Sequence, residues 1–217
     1  MAVPHWVLFP AQARAPSDFL VAAGTALRDR NCRPRELSEL VRDPDTKAWD
    51  PSNNGVPCTQ ETAAVAIAKD WEGFVLEYEA KAIRDNVFLY VWKEGEKWGL
   101  SLEVTSSALY SEASGGTAGQ WLEETIVAVT AALGVEASYF GFEAGMCKTL
   151  NVADLRERLR GGTIVKGHNP VFALLAAKLI SEADTKSVLK SAPEEAKLRH
   201  FTIGEAYHAF SNLKRQS

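Results

Sequence analysis

FVLEYEAKAIRDNVFLYVWKEGEKWGLSLEVT, residues 74–105, decides the fold class. Three short runs stand in it. Phe74–Ala80 alternates apolar and polar from Leu76 onward, Asn86–Glu94 is apolar on both sides, and Trp98–Thr105 alternates throughout. A period of two marks strands that bury one face. Glu94-Gly95-Glu96 joins the last two runs as a hairpin turn. On this reading Leu76, Tyr78, Val87, Leu89, Val91, Leu100, Leu102 and Val104 fill one sheet face.

Working outward, His5–Phe9 (HWVLF) predicts a first strand, ended by Pro10. A helix follows from Ser17 to about Arg30, with Phe19, Leu20, Ala23 and Leu27 on one side. Pro34–Val41 predicts a short helix with proline at its first position. Residues 43–58 read as a long loop, and Gln60–Asp70 as a helix that Thr59 caps. Downstream, Gln120–Leu133 predicts a helix closed by Gly134, and Ala137–Phe142 a strand. Beyond residue 145 the texture turns helical: a helix capped by Asn151, a second from Asn169-Pro170 through about Ser181, and further segments near 183–190, 193–199 and 204–214.

This order predicts an α+β fold, with an antiparallel or mixed sheet and helices on one face. The topology expected is a ferredoxin-like variant. Residues 1–145 form the sheet domain, and 146–217 a C-terminal helical segment packed on the same core.

The 217 residues are 46% hydrophobic and 24% charged, which excludes a disordered or fibrous chain. The net charge of -4 lacks the basic excess of a nucleic-acid binder, so no nucleic-acid partner is expected. The longest apolar stretches, 126–135 and 171–180, fall short of the roughly 20 residues a membrane span needs. Cys32, Cys58 and Cys147 are odd in number and widely spaced, neither a disulfide framework nor a zinc site. With no basic n-region or cleavage site in Met1–Pro10, a cytoplasmic location is expected.

The nearest approach to a metal motif is Asp50–Glu61. Asp50, Ser52, Asn54 and Glu61 stand at positions 1, 3, 5 and 12 of an EF-hand register, with Gly55 at 6. Prolines at positions 2 and 8 depart from that pattern, and a plain Asn-Gly turn explains the same residues. Gly141–Thr149 lacks the glycine that a phosphate loop places before its lysine. His5, His168, His200 and His208 form no metal-binding pair by spacing, and no cofactor fingerprint is present.

The sheet face opposite the apolar one would carry Glu77, Glu79, Phe88, Tyr90, Trp92, Ser101 and Glu103. Aromatic residues among carboxylates suit a surface that binds a basic protein. Glu77, Glu79, Tyr90, Trp92 and Glu103 are therefore the expected binding residues, with Trp49 from the long loop beside them. Burial of those aromatics under the C-terminal segment is the competing reading.

WGLSLEVTSSALY, then QWLEETIVAVTAALG, then SYFGF, within residues 92–142, resembles small cytosolic immunity proteins of bacterial polymorphic-toxin systems. The resemblance implies a compact, non-catalytic α+β protein that neutralises a cognate toxin by binding it. Its partner would be a protein, a basic toxin domain. The alternatives are a small hydrolase or transferase that pairs Glu77 or Glu79 with His168 or His200, and a calcium-linked module at 50–61.

Overall fold

The structure, a computed structural model, describes residues 4–105, 109, 115–141, 146–164 and 169–214. Its strands are β1 (Pro4–Leu8), β2 (Cys32–Arg42), β3 (Trp49–Pro51), β4 (Val56–Pro57), β5 (Gly73–Ala80), β6 (Asp85–Glu94), β7 (Lys97–Thr105), β8 (Ala137–Gly141), β9 (Phe172–Ala176), β10 (Arg199–Ile203) and β11 (Tyr207–Ser211). The helices are α1 (Pro16–Arg28), α2 (Glu61–Ile67), α3 (Gly115–Leu133), α4 (Val152–Arg160) and α5 (Glu182–Ser191). All strands join one open sheet in the order β10-β11-β9-β8-β1-β7-β6-β5-β2-β3, with β4 also on β2. Every pairing is antiparallel.

That order contains two interleaved crossovers. α1 carries the chain from β1 to β2 across three intervening strands, and α3 carries it from β7 to β8 across β1. Both helices and α2 pack on one face, here the inner face. Phe19, Leu20 and Leu27 of α1 and Leu122, Ile126 and Val129 of α3 meet Leu76, Tyr78, Leu89, Leu100, Leu102 and Val104 there. The alternation read from residues 74–105 thus points the apolar set inward as expected.

Helices cover both faces of the sheet, not one. α4 and α5 lie on the outer face, where Leu155, Leu159 and Val188 pack against Trp6, Tyr139, Ala173, Leu175 and Phe210. α4 starts at Asn151, whose side chain accepts from the amides of Ala153 (3.0 Å) and Asp154 (3.2 Å). A Ser181–Asp184 capping box starts α5.

The C-terminal segment is also not all helix. Residues 172–176 (FALLA) form β9, buried from both sides between β8 and β11, and residues 199–211 form the β10–β11 hairpin rather than helices. A short run of apolar residues reads equally as buried helix or buried strand, and only its neighbours decide. Residues 34–41 likewise belong to β2. Leu37 and Leu40 face opposite sides of the sheet, and a bulge between Pro34 and Glu36 accommodates the proline.

Candidate functional site

The register lines up cross-strand rows on the outer face. In one row Glu36 on β2 lies opposite Glu77 on β5, Glu77 opposite Phe88 on β6, Phe88 opposite Glu103 on β7, and Glu103 opposite Trp6 on β1. The bulge in β2 takes Arg35 out of register and sets Glu36 against Glu77; bulges commonly re-aim a side chain in this way. Glu36 is exposed, while Glu77, Glu79, Phe88 and Glu103 are half-buried. Glu36 was not expected here, because its place depends on a bulge inside a segment that reads as helix.

No lysine or arginine among the described residues forms an ion pair with Glu36, Glu77 or Glu79. Glu79 lines a surface hollow with Arg35, Lys81, Arg84, Asp85 and Asn86. Glu103 accepts a 2.8 Å hydrogen bond from the Tyr90 hydroxyl. Burial holds its carboxyl above the usual carboxylate range, and the Tyr90 bond opposes that rise. Burial, together with the Glu103 charge, pushes the Tyr90 phenol up as well. Burial, then the charge of Asp50, likewise pushes the Cys147 thiol up to about 12, away from the thiolate form.

The raised Glu103 carboxyl makes a testable prediction. The folded chain retains this proton at a pH where the unfolded chain has lost it. Its contribution to stability is therefore present at acid pH and lost as pH rises through the raised value. Glu103→Gln is expected to flatten this fall. Urea titrations of both proteins between about pH 4 and pH 7 check it, and identical slopes would contradict the assignment.

Three of the expected contact residues are core residues. Tyr90, Trp92 and Trp49 are only 5%, 2% and 8% exposed. Trp6 tilts over Tyr90 at 5.0 Å, and Met146, Cys147, Leu150 and Val152 pack against the cluster that holds both. The Trp92 ring lies across Gly99 on the neighbouring strand, in space that any side chain at 99 would occupy. Trp49 packs on Gly73, with the Arg42 guanidinium 5.7 Å from its ring. These aromatics are packed inside the outer-face core rather than presented on its surface. Glu77, Glu79 and Glu103 remain of the expected residues, joined by Phe88 and Glu36.

The 50–61 stretch does not assemble a calcium loop. Glu61 opens α2 and turns into the core, 3% exposed. It is ion-paired with Arg28 and accepts a 3.0 Å bond from the Tyr78 hydroxyl. Asp50 and Asn54 stay exposed, and the Ser52 amide donates to the Glu39 carbonyl at 2.7 Å. Among the described residues, no three His, Cys, Asp or Glu side chains converge as a metal would need. The acid–base pairing with His200 does not form either. His200 lies seven strands from β5, roughly 34 Å at the usual strand spacing. Its Nε2 is 2.9 Å from Nδ1 of His208. His168 and residues 142–145 lie outside the described residues. No helix among those described is long and apolar enough to cross a membrane. Compared with known proteins, the chain matches no protein-family model, no curated protein and no solved structure.

Proposed function

We propose that this chain is a non-catalytic protein-binding module of the immunity type, acting in the cytoplasm, that neutralises a basic toxin domain through the outer sheet face. One observation carries the reading: Glu36 and Glu77 stand directly opposite each other, with Phe88 and Glu103 next in the row. Like charges directly opposite in an antiparallel ladder destabilise it, and no described lysine or arginine is ion-paired with either. A cationic partner would convert that repulsion into attraction and speed encounter. Phe88, half-buried between carboxylates, offers a ring face to an arginine. The order β8-β1-β7 with β2 beyond, and the two interleaved crossovers, support a ferredoxin-like variant widened by β5 and β6.

The test uses the full chain and its Glu36→Lys/Glu77→Lys variant as bait in a lysate of the source organism, followed by calorimetry with the purified partner. A basic protein should bind one-to-one, with affinity falling about 100-fold in the variant and about 10-fold between roughly 50 and 300 mM salt. An acidic partner, or one held equally by both baits, would overturn the reading.

A further inference from the structure

The β10–β11 hairpin brings together two histidines that local spacing left apart. His200 on β10 lies opposite Phe210 of β11, and Thr202 lies opposite His208. His200, His208 and Phe210 therefore share one face of the hairpin. Phe210 makes it the outer face, in the cluster that also holds Val188 of α5. His200 Nε2 is 2.9 Å from His208 Nδ1, and the ring centres are 5.2 Å apart with their planes 18° from parallel. The two distances differ by about twice the distance from an imidazole's centre to its own nitrogen, so both nitrogens lie on the line joining the centres. The rings thus meet edge to edge, close to one plane, and each nitrogen aims at the other. A zinc ion takes about 2.0 Å to each imidazole nitrogen, and this gap is too short to hold one between them. It is the length of a hydrogen bond.

Only one hydrogen fits in that gap. In the neutral pair, the N–H of one ring spans it to the bare nitrogen of the other. One added proton goes to an outward nitrogen and leaves the bond charge-assisted, the stronger kind. A second added proton has only the gap left, where two N–H donors would then face each other. We infer that His200 and His208 share one hydrogen and form an acid-sensitive latch on the β10–β11 hairpin, closed until both rings are charged. Opening withdraws His200 from Phe210, whose ring lies 5.1 Å away, and loosens the margin of the sheet beside α5.

The other charges of the surrounding elements are engaged elsewhere or face water. Arg199 donates to Glu123 and to the Leu213 carbonyl, and the Tyr207 hydroxyl to the Val135 carbonyl. β9 carries no charge. On α5, Glu182 is paired with Lys186, and Asp184 with Arg160. Lys178 is paired with Glu136. Lys190, Glu194, Lys197 and Glu205 are exposed. The polar partner of each imidazole is the other imidazole. Burial, and after it the charge on His208, hold the His200 ring below the ordinary histidine value. The unfolded chain takes up this proton at higher pH than the folded one. Stability from the latch is therefore full above the ordinary value and is lost as pH falls through the lowered one.

Imidazole NMR of the full chain between about pH 8 and pH 4 tests this, with His208→Asn and His200→Gln alongside. The native pair should titrate in two steps more than about one pH unit apart, the mark of strongly interacting sites. Amide protection at residues 199–211, corrected for the intrinsic pH dependence of exchange, should fall about 10-fold across the lower step while that at 73–105 holds. His208→Asn keeps an acceptor where Nδ1 stood but never takes a charge. In that variant His200 should titrate about one unit higher, and the acid loss of protection should disappear. His200→Gln should leave His208 with one unsplit step. Circular dichroism separates these effects from loss of fold. Native rings that titrate in a single step unmoved by either substitution overturn the proposal. So does hairpin protection that does not fall in acid, or that falls equally in the native chain and the variants.

Discussion

Replacing Arg28 by methionine is expected to remove about 3 kcal/mol of folding stability, the low end of what breaking a buried ion pair costs. The carboxylate of Glu61 is sealed between α1, α2 and β5 at 3% exposure. Its only described partners are Arg28 and the Tyr78 hydroxyl. Methionine keeps the apolar stem of Arg28 but leaves the carboxylate with a single neutral hydrogen bond. Arg28 is 43% exposed, so water relieves part of the loss and the high end of the range is not reached. The double variant Arg28→Met/Glu61→Met should recover at least half of it, since apolar pairs replace buried ion pairs at little cost. Urea unfolding measures both; a single-variant loss below about 1 kcal/mol, the scale of an ordinary hydrogen bond, would mean that Glu61 does not depend on Arg28.

The second large effect is expected at Phe172→Ala, about 4 kcal/mol for a fully buried ring removed from a packed core. Phe172 lies on β9 opposite Phe140 of β8 and Ser211 of β11, with its ring 6.4 Å from that of Phe201. β9 is the seam through which the β10–β11 hairpin joins the rest of the sheet. The cavity should therefore act unevenly. Hydrogen exchange is expected to lose more protection at residues 199–211 than at residues 73–105. Equal loss along the whole sheet would show that the hairpin and the central strands open as one unit.

The parts of the fold legible in the sequence are those whose own residues settle them. Residues 76–80 and 98–105 alternate with the right period, and the inward set of residues 74–105 is buried as expected. The α1 face of Phe19, Leu20, Ala23 and Leu27 and the Asn151 cap are equally local signals. Residues 34–41 misled because Leu37 and Leu40, three apart, fit a helical stripe and also fit the two sides of a bulged strand. FALLA at 172–176 misled because a uniformly apolar run carries no period at all.

The site divides along the same line. Glu77 and Glu103 follow from alternation. Glu36 follows only from a bulge. Tyr90 and Trp92 are buried in a cluster against which Met146, Cys147, Leu150 and Val152 pack, more than 50 positions later in the chain, and no local pattern encodes that path.

The interleaved crossovers also set an order of assembly during synthesis. β1 is held on one side by β7 and on the other by β8, so neither of its ladders can form until a further hundred or so residues have been made. At about 5–20 residues per second, its Trp6-Val7-Leu8-Phe9 run waits several seconds beside the ribosome without a pairing partner. The β5–β6 hairpin, whose contacts are local, can close in that interval, and β7 completes the meander as it is made, giving the template onto which the first strand docks. Mutations that slow the docking would lengthen the time this apolar segment is open to chaperones and to neighbouring chains, even where the finished protein is fully stable.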